Sequence, residues 1–210
     1  MGASGFGCAT LRSMRVIAGS LRSRRLRVPP KGVRPTSDRV REAMFSALGD
    51  LSDARVLDLF AGSGALGVEA LSRGASSCVF VERSRPSLAV LESNLRELEL
   101  DDASEVVPVD ALRALSQLAR RGLSFDLVLL DPPYDTPLIT PALEGLRDLG
   151  MVSSDGMVVV ERAKRHSLGP TEGWRQERER EYGQTVVHYL RSDSAMGDPD
   201  SKKEAVAKAP

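Results

Sequence analysis

Cysteine is scarce in this chain, and long apolar segments are absent from it. The two cysteines, Cys8 and Cys78, are too few for a disulfide framework or a zinc site. No run of about 18 apolar residues suggests a membrane span. Residues 1–13 lack the basic and apolar regions of a signal peptide. We therefore expect a cytoplasmic protein with no membrane partner and no bound metal.

Net charge is also absent, but the charges are unevenly distributed. Between Arg12 and Arg41 lie ten basic residues and one acid, whereas the rest of the chain carries 19 basic and 28 acidic residues. A basic segment on an acidic body indicates a polyanionic partner, and arginine suits phosphate groups; a solvated basic face is the alternative. The candidate phosphate-binding residues are Arg15, Arg22, Arg24, Arg25, Arg27, Lys31, Arg34 and Arg39.

The composition divides the chain into four predicted segments. Residues 1–13 are expected to form a disordered extension, and Met14 is a candidate natural start. Residues 14–33 predict a basic β-hairpin arm, because two short strand patterns flank a turn. Residues 34–190 form the main domain. Residues 191–210 are polar and predict a disordered tail.

A helix is predicted from Asp38 to about Leu48, with Ser37 as its cap. Arg39 and Arg41 are expected on faces other than the apolar one. That apolar face would be formed by Val40, Met44, Phe45 and Leu48.

From residue 55 onward strands alternate with helices, which predicts a parallel, doubly wound α/β sheet. A late hairpin around Gly183 would close one sheet edge in antiparallel fashion. The expected strands cover residues 55–60, 78–81, 105–109, 125–130 and 157–160, and the hairpin covers 174–182 and 185–190.

An acid is expected at the end of each of the first four strands. Because ligands bind at the carboxyl ends of parallel strands, we expect these acids to line one site. Each alone could equally be a helix cap or a solvated strand end, but four in series make a chance arrangement improbable. The acids are Asp58, Glu82, Asp110 and Asp131.

The turn after the first strand is glycine-rich, and it formally matches a dinucleotide fingerprint over residues 62–67. Asp58 would repel a pyrophosphate, however, and His166 and His188 lie too late in the chain to suggest a dehydrogenase base. An acid before this turn suits a cationic ligand such as S-adenosylmethionine, which carries an ammonium, a sulfonium and no phosphate. Glu82 could accept the ribose hydroxyls, and Asp110 could accept the adenine amino group beside the Ala111 N–H.

The stretch Asp131-Pro132-Pro133-Tyr134 ends the fourth strand in a stiff turn, because proline cannot donate to a strand ladder. The amine of a nucleobase is a poor nucleophile. The Asp131 carboxylate and the Pro132 carbonyl could accept its two N–H bonds and direct its lone pair, while Tyr134 could stack on the base. A plain turn that happens to contain these residues is the alternative.

Together these features resemble the RsmD family of class I S-adenosylmethionine-dependent methyltransferases, which methylate the exocyclic N2 of a guanine in small-subunit (16S) ribosomal RNA. The resemblance covers residues 14–190. The stretches that carry it are MRVIAGSLRSRRLRVP, RPTSDRVREAMFSAL, VLDLFAGSGALGVEALSRGA, LLDPPY and YGQTVVHYL. The extension at residues 1–13 and the acidic tail at residues 193–200 depart from the family pattern without touching a motif.

The resemblance implies a Rossmann-like methyltransferase sheet and an assembling 30S particle as substrate. It also implies that the basic residues above bind RNA, although Arg34 and Arg39 could instead meet the cofactor carboxylate. We expect a monomer to suffice. The catalytic residues would be Asp131, Pro132, Pro133 and Tyr134. The cofactor-binding residues would be Asp58, Phe60, Ala61, Gly62, Ser63, Gly64, Glu82, Asp110, Ala111 and Asp131.

Two other functions remain open. The first is methylation of adenine N6 in DNA, although such enzymes usually carry a separate target-recognition segment, for which this chain has no room. The second is a ribosome-assembly factor that binds RNA without turnover.

Overall fold

A computed structural model describes residues 13–29, 37–133 and 136–193. In this part of the chain a seven-stranded sheet carries helices on both faces, and a two-stranded hairpin packs against one of those helical layers. No helix among the described residues is long and apolar enough to cross a membrane.

The N-terminal hairpin, residues 13–27, pairs β1 (Ser13–Arg15) with β2 (Arg25–Arg27) in antiparallel register. Its side chains alternate between exposed arginines and the buried Met14 and Leu26. This confirms the predicted basic hairpin. The hairpin does not project as an arm, because its buried side chains join the main hydrophobic cluster.

Helix α1 (Asp38–Ser46) begins after Ser37, whose Oγ accepts the Val40 N–H at 3.3 Å. Met44 and Phe45 are buried as predicted. The expectation that Arg41 leaves the apolar face is wrong, because the Arg41 side chain is fully buried at 0% exposure.

The sheet alternates with helices through the rest of the described chain. Its elements are β3 (Arg55–Asp58), α2 (Ala65–Ser72), β4 (Ser77–Val81), α3 (Arg85–Glu97), β5 (Ser104–Val107), α4 (Ala111–Arg120), β6 (Phe125–Leu130), α5 (Ile139–Asp148), β7 (Val152–Ala163), β8 (Trp174–Tyr182) and β9 (Thr185–Ser192).

The strand order is β5-β4-β3-β6-β7-β9-β8. The first five strands in this order are parallel, and β9 and β8 complete the edge in antiparallel pairing. The predicted doubly wound sheet with a C-terminal hairpin is thus confirmed. Strands β3 and β6 are buried on both faces, which explains their continuous apolar sequences.

Several strand boundaries differ from the sequence prediction, and three of these differences have a physical cause. Strand β3 ends at Asp58, where the glycine-rich turn already begins. Strand β5 ends at Val107, because Pro108 has no N–H to donate. Strand β7 begins at Val152, since a register shift opposite Phe125 lets this earlier segment pair with β6.

Candidate functional site

Three of the predicted acids lie together at the centre of the sheet's carboxyl edge. Strand β3 lies between β4 and β6, and Asp58 is level with Phe80 on one side and Leu129 on the other. Glu82 and Asp131 follow those two partners along their own strands. The three acids therefore lie at neighbouring strand ends, where strand connections diverge to opposite faces and a ligand crevice is expected.

Asp58 is a buried acid with an incomplete set of partners. Its side chain is 1% exposed, and Oδ2 accepts the Gly67 N–H at 3.0 Å. Among the described residues, Oδ1 is buried without a hydrogen bond of regular geometry. Desolvation raises the pKa of Asp58 to about 7, the Glu82 charge adds to this rise, and the N–H groups of Gly67 and Phe60 oppose it. A cationic ligand would complete this site, because a buried polar atom without a partner is costly.

Residues 59–64 form the cofactor turn, which brings backbone groups close to Asp58. Gly62 and Gly64 have φ angles of 56° and 84°, in the left-handed region that favours glycine. The Gly62 N–H donates to Glu82 Oε2 at 2.9 Å. Glu82 Oε1 also accepts the Arg83 N–H at 2.7 Å. Glu82 thus stabilises the turn, and its binding of ribose hydroxyls stays a prediction.

Helix α2 packs unusually close to β4 through Gly67. A Cβ at this position would lie 2.2 Å from Phe80 Cε1 and 2.7 Å from Cys78 Sγ. We expect Gly67→Ala to destabilise the fold by about 1–3 kcal/mol in urea denaturation, because the buried strand must shift. Gly145→Ala is the matched control, since its Cβ meets only the end of the Leu115 side chain. Equal stability of the two variants would contradict this packing account.

Asp110 caps a helix in this structure. Its Oδ1 accepts the Leu112 N–H at 3.1 Å at the start of α4, and Oδ2 lies 3.7 Å from Arg83 Nη1. It follows β5, next to β4, so it lies farther from the centre of the sheet than the other three acids. Contact of Asp110 and Ala111 with adenine stays a prediction.

The Asp131–Pro133 elbow follows β6 directly, as the sequence predicts. The Pro133 carbonyl accepts the Thr136 N–H at 3.1 Å and its hydroxyl at 2.7 Å, which links the elbow to the segment before α5. Tyr134 lies outside the described residues, so its stacking role stays a prediction.

A cavity of about 390 Å³, here called the target-side cavity, opens beside the elbow. Pro132 and Pro133 line it, together with Arg162 and His166 from the end of β7 and the loop that follows. The cofactor turn belongs to β3, on one side of β6, whereas this cavity faces β7 on the other. The elbow therefore lies between the cofactor turn and the target-side cavity.

The described arginines of the predicted RNA-binding set are all exposed on or near the N-terminal hairpin. The guanidinium groups of Arg22 and Arg25 make no hydrogen bond or ion pair with other described residues. Lys31 and Arg34 lie outside the described residues. The exposed set comprises Arg15, Arg22, Arg24, Arg25, Arg27 and Arg39.

Sequence reasoning missed a buried polar network behind the cofactor turn. Glu69 on α2 accepts the Ile17 N–H at 2.8 Å and lies 3.8 Å from Arg41 Nε. Burial lowers the pKa of Arg41, and the Glu69 carboxylate partly restores it. Asn94 on α3 contacts both the hairpin and the cofactor turn. All three polar residues interrupt apolar helix faces, which is the signal that could have revealed them.

S-adenosylmethionine fits the residues at this edge. The carboxylate of Asp58, whose Oδ1 lacks a hydrogen bond of regular geometry among the described residues, suits the ammonium group. The glycine backbone leaves open space beside Gly62, where an added Cβ would meet no atom within 4 Å. The acids Asp58 and Glu82 suit a ligand with positive charges, and the turn offers no lysine or arginine for a pyrophosphate.

Comparison with known proteins decides the family. The chain matches the family Conserved hypothetical protein 95 over residues 14–191. Ribosomal RNA small subunit methyltransferase D of Escherichia coli (strain K12) is 38% identical over 192 residues, which cover 90% of this chain and 94% of that protein. This chain belongs to the RsmD family.

Two further similarities agree with the RsmD assignment. A Bacillus subtilis (strain 168) protein, YlbH, described as a candidate rRNA methyltransferase, is 42% identical over 76% of this chain and 88% of its own length. A solved Escherichia coli structure, the candidate methyltransferase yhhF, has a TM-score of 0.78 and 33% identity, covering 87% of this chain and 99% of its own. Family and fold confirm the prediction of an S-adenosylmethionine-dependent methyltransferase.

Proposed function

We propose that this protein methylates the exocyclic N2 of a guanine in small-subunit ribosomal RNA, within an assembling 30S particle. The observation that carries the proposal is the position of the Asp131–Pro133 elbow. It lies between the acid-lined cofactor turn on β3 and the target-side cavity on β7. The E. coli relative is named for methylation of small-subunit ribosomal RNA, which supports this choice of substrate.

The chain's own residues would bind the cofactor. When bound, S-adenosylmethionine supplies a methyl group on a positively charged sulfonium. Asp58 would bind the ammonium group, Glu82 the ribose, and the backbone at Gly62 and Gly64 would allow close approach. Because the carboxylates stand in a partly desolvated crevice, their attraction for a cation is stronger than it would be in water.

The elbow would prepare the target amine. The Asp131 carboxylate and the Pro132 carbonyl accept one N–H each, so that the lone pair points towards the cofactor side. Tyr134 stacks on the base in the target-side cavity, after the base has left its helical stack. Positioning supplies most of the rate, and a base is not needed beforehand, because Asp131 can accept the extra proton after transfer.

The N-terminal hairpin would bind RNA phosphates. We expect the double variant Arg22→Ala, Arg25→Ala to bind small-subunit RNA more weakly. The slope of log K against the logarithm of salt concentration should become smaller in magnitude by about two. Neither guanidinium has a partner elsewhere in the described chain, so folding should be preserved. Arg120→Ala, at the far end of α4, serves as control. An unchanged salt slope in the double variant would remove the hairpin from the RNA interface.

Mapping of methylated guanines in small-subunit RNA from cells that lack the protein tests the proposal. We expect one guanine to lose its N2 methyl group and to regain it when the wild-type chain is supplied. Unchanged small-subunit RNA together with loss of N6-methyladenine from DNA would favour a DNA methyltransferase. Defective assembly with all methyl groups intact would favour a binding factor without turnover.

A further inference from the structure

Asn94 connects two parts of the molecule that the proposed reaction uses separately. It lies near the C-terminal end of α3 and is 1% exposed. Its Nδ2 donates to the Arg27 carbonyl at 3.0 Å and to the Ser63 carbonyl at 2.9 Å, and its Oδ1 accepts the Arg27 N–H at 2.9 Å. The side chain therefore pairs with strand β2 and, through its second amide hydrogen, with the cofactor turn.

A second set of contacts fixes the other end of the hairpin to α2, the helix that follows the cofactor turn. Glu69 carboxylate oxygens accept the N–H groups of Ile17 at 2.8 Å and Ala18 at 3.1 Å. The Ser72 hydroxyl accepts the Leu21 N–H at 3.0 Å. The hairpin is consequently fixed to the second half of α2, and Asn94 is its direct link to the cofactor turn.

The geometry points to Asn94 as a positioning residue that couples RNA binding at the N-terminal hairpin to cofactor binding at the turn. This inference rests on the proposed RNA-binding role of the hairpin. RNA that restrains β2 also restrains the Ser63 carbonyl through Asn94, so RNA bound at the hairpin favours the turn conformation that binds the cofactor. Coupling between two sites is reciprocal, so bound cofactor strengthens RNA binding by the same factor.

Glu97 provides a matched control one turn further along α3. Its Oε1 lies 2.6 Å from Arg27 Nη2, and its backbone carbonyl accepts from Arg24 Nη2 at 2.8 Å. It contacts the hairpin without a described contact to the cofactor turn. Glu97→Ala should therefore change RNA affinity without changing the coupling, whereas Asn94→Ala should reduce the coupling itself.

The test measures binding of labelled S-adenosylhomocysteine, which cannot be turned over, by equilibrium dialysis with the full chain. Each variant is measured alone and with saturating, unmethylated 30S particles. We expect the particles to tighten binding by about fivefold or more in the wild type and in Glu97→Ala, within the usual range of coupling between sites. In Asn94→Ala this ratio should fall to about one. Asn94→Asp keeps the acceptor for the Arg27 N–H but loses both N–H donors, to the Arg27 and Ser63 carbonyls, so it should lose the coupling as well. It provides the test if the alanine variant does not fold.

The coupling would be overturned if folded Asn94→Asp showed the same affinity ratio as the wild type. It would also be overturned if Glu97→Ala lost the ratio to the same extent, or if the wild type itself gave a ratio of one. These results differ from failure of the proposed function. If the wild type methylates guanine N2 but shows a ratio of one, only the coupling is wrong. If the wild type neither binds nor methylates the particle, both proposals are wrong.

Discussion

Replacement of Asp131 by alanine lowers the rate of methyl transfer by about 10²–10⁴-fold, the range lost when an enzyme loses a positioned acceptor in its transition state. S-adenosylmethionine binding should stay nearly unchanged, because in the proposed site Asp58 and Glu82 provide the main cofactor carboxylates. The effect should appear in kcat rather than in the dissociation constant of the cofactor. Single-turnover transfer of a labelled methyl group, paired with calorimetric titration of the cofactor, separates these two quantities.

Two variants sharpen the Asp131 experiment. Asp131→Asn keeps one carbonyl oxygen as an acceptor and should lose less activity than the alanine variant. Asp126→Ala is the matched control, because Asp126 lies near the opposite end of the same strand and bonds to Arg55 and Ser153. Full activity of Asp131→Ala in a folded protein would remove the elbow from the mechanism.

Asp58→Asn weakens S-adenosylmethionine binding by about 10–100-fold, the equivalent of one lost hydrogen bond to a charged group. The same change should stabilise the ligand-free protein by a few kcal/mol at most, because burial raises the pKa of Asp58 and disfavours its charged form. An increase in Tm together with a loss of cofactor affinity is the expected result.

The pH dependence of the stability difference between Asp58→Asn and the wild type follows from the direction of the Asp58 pKa shift. Folding raises the pKa of Asp58 from 3.8 to about 7. The folded chain therefore binds more protons than the unfolded chain between these values, and the contribution of Asp58 to stability falls as pH rises through that window. The gain in stability from Asp58→Asn should be absent near pH 3.8 and complete above pH 7. Wild-type cofactor affinity should decline as pH falls below about 7, while the variant's affinity stays flat.

Asp101→Asn is a suitable control for Asp58→Asn, because Asp101 is an exposed acid away from the crevice. Thermal melts and cofactor titrations from pH 4 to pH 9 measure both effects. If Asp58→Asn binds S-adenosylmethionine as tightly as the wild type, then Asp58 does not bind the cation.

The features that the sequence predicted well depend on local patterns. Two successive prolines after an apolar strand dictate the elbow whatever the rest of the chain does. The alternation of strands and helices implies a parallel sheet, and parallel strands place Asp58, Glu82 and Asp131 at one edge. These features could be predicted because each needs only a short segment and a rule of connection.

The features that the sequence did not predict depend on pairs of residues far apart in the chain. Asn94 meets the Arg27 backbone across 67 positions, and Glu69 meets Ile17 across 52. The sequence placed Arg41 away from the apolar helix face, because its buried partner Glu69 could not be identified before the hairpin, α1 and α2 were packed together. A buried charge is tolerated only with such a partner, and the partner is a tertiary feature.

The target-side cavity also could not be predicted from the sequence. It forms where the elbow, the start of α5 and the loop after β7 converge, and its contributors span Pro132 to Gly169. No motif marks the loop, since its basic residues resemble an ordinary solvated segment. Only the neighbouring positions of β6 and β7 in the sheet place it opposite the cofactor turn.

The central claim is that the acid-lined crevice and the elbow together deliver a methyl group to a guanine amine. The most direct measurement incubates the purified chain with labelled S-adenosylmethionine and 30S particles from cells that lack this protein, then digests the RNA to nucleosides. The account predicts that the label appears in N2-methylguanosine alone. Label in N6-methyladenosine or another nucleoside, or no transfer by protein that binds the cofactor, would contradict it.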